Sequence, residues 1–135
     1  MSLDRRRLAE LADELIPGEG GMPSASAAGA VDAGLDAVLA ARPDFEVPLG
    51  GLATSTAGMS PAEAVAALPD RDPAGWSALT AAVVAAYYMN PDVCERIGYA
   101  GQRAIPLDPD APPDYLQDGL LESVEARPPV YRPTP

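Results

Sequence analysis

Histidine and lysine are absent from this 135-residue chain, so every one of its nine basic residues is an arginine. Those two absences remove much of the catalytic repertoire. No Ser-His-Asp triad, Cys-His pair, imidazole shuttle, Schiff-base lysine or phosphate-loop lysine can be assembled. Histidine-ligated metal sites go with them. The one cysteine, Cys94, can supply neither a thiolate zinc cage nor an internal disulfide. It reads instead as a small apolar group on a helix face. Aromatic residues are scarce at 5%, and although 47% of the chain is apolar, much of that is alanine, which buries little area per residue. Such a composition favours close-packed helices with a thin core, and leaves burial for a partner to complete. No apolar run approaches the eighteen or so residues that span a bilayer.

Positive charge is also short. A formal charge of −11 repels a polyphosphate backbone, and no basic aromatic patch offsets it, so no nucleic-acid partner is expected. Arg5-Arg6-Arg7 has the look of a twin-arginine signal. The LAELADELI that follows carries Glu10, Asp13 and Glu14 where such a signal needs uncharged apolar residues. The sequence as it stands therefore reads as cytoplasmic, or as periplasmic or exported with a partner if a leader was removed.

What is present is helical patterning. Asp4 to Ile16 has Leu8, Leu11, Leu15 and Ile16 at helical spacing, with Asp4 as cap and Pro17 as stop. A second helix is predicted from Ser24 or Ser26 to Ala41, on Val31, Leu35, Val38 and Leu39. Ser60-Pro61-Ala62-Glu63 is a capping box opening a helix to about Leu68. Asp72-Pro73 begins the longest helix, through Trp76, Leu79, Val83, Val84 and Tyr87 to about Met89. Asn90-Pro91 caps a short last helix that Gly98 closes. Residues 44 to 58, full of breakers, are predicted to be a loop held by Phe45, Val47 and Leu49. No strand pattern is present. The expected fold is mainly α: a small bundle of four to five helices, 1–104, followed by an extended Pro-rich tail, 105–135, packing on the body or on a partner. Eight of the sixteen prolines fall in that tail, with one helical turn expected around Tyr115 to Val124. Its many apolar anchors, from Ile105 to Tyr131, are more than a solvated tail carries.

Chemical motifs are weak. GEGGMPSA, 18–25, follows a helix rather than a strand and matches no phosphate-binding fingerprint, so it reads as a turn. Asp108, Asp110, Asp114 and Asp118 lack the glycine and glutamate of a calcium loop. Asp92 and Glu95 share a helix face, where complementing the helix dipole is the expected role. No catalytic, cofactor-binding or metal-ligating residue is expected on this chain. Tyr87 and Tyr88 are successive on a helix and point about 100° apart, so one can face the core and the other outward. An outward tyrosine beside Met89, followed by Tyr99, Gly101 and Gln102, has the makeup of an interface anchor. Packing between two helices of the same chain is the plain alternative.

Three stretches, LADELIPGEGGMPSASAAG, AAYYMNPDVCERIGYAGQ and the closing PPVYRP, carry a resemblance to the small-subunit family named for gluconate 2-dehydrogenase subunit 3. The resemblance implies an accessory subunit, without catalytic residues, of a flavoprotein dehydrogenase of the glucose–methanol–choline type. FAD and hydride transfer then belong to the large partner, which oxidises sugars or alcohols, and a cytochrome completes some assemblies. Many relatives begin with a twin-arginine leader; this chain does not show one. On that reading Tyr88, Met89, Asn90, Tyr99, Gly101 and Gln102 contact the flavoprotein, and the tail wraps it through Tyr131 and Arg132. A free-standing small enzyme or ligand-binding domain that uses carboxylates and tyrosines is the competing reading, and a self-associating structural protein a third.

Overall fold

The computed structural model describes residues 3–104, 110–111 and 119–128. The chain divides into two units, Met1–Gly101 and Gln102–Pro135. Among the described residues the structure is mainly helical and contains no strand, with five helices of seven residues or more and two shorter ones.

Helix α1, Arg5–Leu15, opens where the Asp4 carboxylate accepts the Arg7 backbone N–H at 3.0 Å. It buries Leu8, Leu11 and Ala12. Its arginines are structural. Arg7 donates to the Thr56 hydroxyl at 3.0 Å, to the Thr56 carbonyl at 3.1 Å and to the Met59 carbonyl at 2.9 Å, while its other nitrogen holds Glu10. Arg5 donates to the Val31 carbonyl at 2.7 Å and pairs with Asp36. Two residues of the triple arginine thus tie α1 to segments 26 and 49 positions away.

The expected helix from Ser24 or Ser26 is shorter than its periodicity suggested. Residues 25–32 form a chain of turns, and α2 covers only Ala33–Ala41, burying Leu35 and Val38. The reason is local. Gly29 sits in the left-handed region at φ 69°, which no α-helix accommodates, and the Ala28 carbonyl is taken by the Asn90 side chain.

The segment predicted as a loop is a correction of larger size. Pro43–Phe45 makes a short 3₁₀ turn with Arg42 stacked 4.1 Å from the Phe45 ring, and α3 then runs Glu46–Ser55. Pro48 falls in its first turn, where the missing N–H costs nothing, and Leu49 and Leu52 supply a buried stripe against α1 and α5. Burial of two leucines outweighs the poor propensity of Gly50, Gly51 and Thr54. Val47, expected to help anchor the segment, is 74% exposed.

Helix α4, Pro61–Arg71, carries the capping box in full: Ser60 Oγ accepts the Glu63 N–H, and Glu63 accepts the Ser60 N–H at 2.9 Å. It runs three residues past the expected Leu68, with Pro69 inside it on the exposed side. Helix α5, Pro73–Tyr88, is capped by Asp72 and packs against α2, α3 and α4. Its buried face is largely Ala78, Leu79, Ala82, Val83 and Ala86, small enough for neighbouring backbones to approach closely. Val84, expected in that stripe, faces out. A short helix α6, Pro91–Arg96, follows. In the second unit, α7 is one turn, Glu122–Glu125, overlapping the C-terminal end of the turn expected around Tyr115 to Val124. The anchors Ile105, Leu107, Tyr115, Leu116, Val130 and Tyr131 lie outside the described residues.

Candidate functional site

The stretch joining α5 to α6 is built from the helix ends. Asn90 Oδ1 accepts the N–H groups of Asp92 at 2.7 Å and Val93 at 3.3 Å, capping α6, while Asn90 Nδ2 donates to the Ala28 carbonyl at 2.7 Å. Pro91 occupies the first helical position, where its lack of a donor is harmless. Val93 is fully buried and holds the short helix down. The far end closes as a Schellman turn. Tyr99 N–H donates to Cys94 O at 2.8 Å and Gly98 N–H to Glu95 O at 3.0 Å, which needs Gly98 at φ 72°. Cys94 also donates its thiol to the Tyr88 carbonyl at 3.0 Å. Cys94 is therefore the joint between the end of α5 and the Tyr99 turn.

Tyr87 and Tyr88 divide as their positions require. Tyr87 is 3% exposed and its hydroxyl donates to the Pro23 carbonyl at 2.8 Å; Tyr88 is 52% exposed and sets its ring edge-on to Tyr87, 5.4 Å between centroids. Arg96 donates to the Gly21 carbonyl at 2.7 Å. Three side chains of the 85–102 stretch thus bond backbone carbonyls of the 11–29 stretch, at Pro23, Ala28 and Gly21. The N-terminal stretch is itself fixed to α1. Asp13 accepts the Ser26 N–H at 2.7 Å and the Ser26 hydroxyl at 2.6 Å. Burial pushes the Asp13 carboxyl up, but the hydrogen bonds from the Ser26 side chain and backbone and from Ser24 outweigh it, holding it below the ordinary 3.8.

A depressed folded value gives the sign of the pH dependence. The link stabilises the fold above the ordinary carboxyl range and is lost as pH falls through the folded value, below 3.8. Asp13→Asn is expected to lower stability at pH 7 by about 1 kcal/mol, since solvent reaches the group. The gap between variant and wild type in thermal melts should close as pH falls below 3.8 and through the folded value. A gap that stays constant with pH would show that the carboxylate charge plays no part.

Beside the exposed charged residues Asp92, Glu95 and Arg96, the outer face of this corner carries several exposed apolar side chains. Val84 and Tyr88 lie one turn apart on α5, and Met89, Ile97 and Tyr99 are all half exposed or more. Met89, Pro91, Cys94, Tyr99 and Gly101 line an open groove of about 560 Å³, with Glu95 the charged residue in its wall. A second depression of about 280 Å³, floored by Ala28, Gly29, Gly34 and Ala86, shares Met89 and Pro91 with it.

Of the sequence-selected residues, Met89, Tyr99 and Gly101 come together in this groove, and Tyr88 stands beside them through the Cys94 joint. Asn90 is half-buried with its amide engaged within the chain. Gln102 is exposed and begins the second unit. Tyr131 and Arg132 lie outside the described residues. Among the described residues no helix is long and apolar enough to cross a membrane, and no cluster of three or more His, Cys, Asp or Glu side chains could hold a metal ion. Comparisons with family models, curated proteins and solved structures find no match to this chain.

Proposed function

We propose that the chain is a non-catalytic small subunit that binds and stabilises a large FAD-dependent sugar or alcohol dehydrogenase through the α5–α6 corner. The observation that carries this reading is the exposed apolar surface of Val84, Tyr88, Met89, Ile97 and Tyr99 on one end of a small acidic bundle. A surface rich in aromatic and methionine side chains is the composition of an interface core. The chain's lack of histidine and lysine leaves it few groups for general acid–base or Schiff-base chemistry, which fits catalysis on a partner. Its resemblance to the gluconate 2-dehydrogenase subunit 3 family names the partner's class: FAD and hydride transfer sit on the large chain, and a cytochrome takes the electrons in some assemblies.

Co-expression with a flavin-dependent dehydrogenase, which this reading expects in a neighbouring reading frame, tests this. The expected result is a stoichiometric complex on affinity purification, and a flavoprotein that loses solubility or FAD when this chain is omitted. A flavoprotein equally stable and active alone would overturn it.

The groove at Met89 and Tyr99 is also the observation that favours a free-standing ligand-binding domain. That reading predicts a ligand-dependent rise in melting temperature in a screen of sugars, sugar acids and small alcohols. On the subunit reading the same screen shifts the isolated chain by less than about 1 °C, because a ligand that does not bind the native state cannot stabilise it.

A further inference from the structure

The groove between α6 and the Tyr99 turn is apolar on nearly all sides, yet one carboxylate, Glu95, stands in its wall. Among the described residues Glu95 makes no side-chain hydrogen bond or ion pair. Asp92, one turn earlier on the same short helix, is likewise exposed, with its carboxylate in no ion pair among those residues. The one cation on that helix, Arg96, is directed to the Gly21 carbonyl. An apolar groove with a lone negative group suits an apolar segment that brings its own positive charge. A second copy of this chain is a poor occupant, because two bodies of formal charge −11 repel.

Resting on the docking reading of this corner, we infer that the groove takes an arginine-bearing apolar segment of the partner. Its aliphatic side chain seats against Met89, Pro91 and Cys94. Its guanidinium pairs with Glu95 and lies against the ring of Tyr99, a residue 54% exposed. Arginine fits better than lysine, since its planar fork can satisfy the carboxylate and stack on the ring at once. Met89 is shared with the adjoining small-residue depression, so the segment can continue across it with its backbone close to Gly29 and Gly34.

The test titrates the full-length isotope-labelled chain with two synthetic peptides of equal length. One alternates leucine and alanine with arginine, the other with glutamate. The arginine peptide is expected to shift the backbone amides of Cys94, Glu95, Gly98 and Tyr99, and to weaken as salt rises. Glu95→Gln should weaken it about fivefold, while Glu14→Gln, an exposed acid on α1, leaves it unchanged. Equal binding of both peptides, shifts centred elsewhere, or indifference to Glu95→Gln would overturn the inference. So would a dimer of the free chain that the arginine peptide disperses. A gain in peptide affinity in an Arg127→Gln, Arg132→Gln double variant would make the chain's own C-terminal arm the occupant and equally overturn it. The two levels separate cleanly. If Glu95→Gln acts on the peptide while no flavoprotein co-purifies, the subunit reading falls and the inference stands. If the flavoprotein co-purifies and Glu95 is indifferent, the inference falls alone.

Discussion

Leu52→Ala is expected to destabilise the bundle by about 3 kcal/mol, enough to lower its melting temperature by roughly 12 °C. Leu52 is fully buried, on a helix that packs against both α1 and α5. Truncation removes its transfer energy and leaves a cavity that the alanines of α5 are too short to fill. The Leu52 carbonyl also accepts the Thr56 hydroxyl at 2.7 Å, and Arg7 clamps the same Thr56. Loss of packing at Leu52 therefore reaches the α1 contact as well. Val47→Ala, five residues earlier on the same helix, should stay within about 0.5 kcal/mol because that side chain faces solvent. Chemical denaturation of the two variants measures both. Equal effects would mean that α3 is not seated as described.

Leu52 also marks where sequence reading stopped short. Helix ends with side-chain caps were legible: Asp4, Ser60 with Glu63, Asp72 and Asn90 each announced a helix start and each caps one. The 44–58 segment announced the opposite, through Pro48, paired glycines and a Thr-Ser-Thr run. Those local preferences are worth about 1 kcal/mol per glycine, and burial of Leu49 and Leu52 exceeds them. A period of three between two leucines is too short a pattern to reveal that from sequence. The turns at 25–32 were hidden for a related reason. Their alanine-rich composition is helical by propensity, and what interrupts them is Gly29 together with a hydrogen bond from Asn90, sixty-two residues away.

At the candidate site the same division holds. That one of Tyr87 and Tyr88 faces inward follows from helical geometry alone. That Tyr87, Asn90 and Arg96 all reach carbonyls of 21–28 does not, since a side chain bonded to a distant carbonyl leaves no periodic trace. The 11–29 and 85–102 stretches are, in this fold, two halves of one joint. Much of their side-chain chemistry serves the bundle itself, and the outward residues are what a partner, on the proposed reading, would meet.

Those outward residues give the second large prediction. Tyr88→Gln with Met89→Gln is expected to weaken a complex with the proposed flavoprotein partner at least a hundredfold, because two central anchors of about 2 kcal/mol each are lost. The isolated chain should melt within about 2 °C of wild type. Both side chains are more than half exposed, and glutamine is as good a helix former as methionine. The Tyr88 carbonyl that receives the Cys94 thiol is backbone and survives the change. Tyr87→Phe must behave oppositely. It removes the hydroxyl that satisfies the Pro23 carbonyl, costs about 1 kcal/mol in stability, and leaves the outer face as it was. Pull-down and thermal melts on the three proteins read both quantities. If the Tyr88–Met89 variant binds normally, the apolar corner is not the docking surface. If Tyr87→Phe loses the partner without losing stability, the two adjacent rings have been assigned the wrong way round.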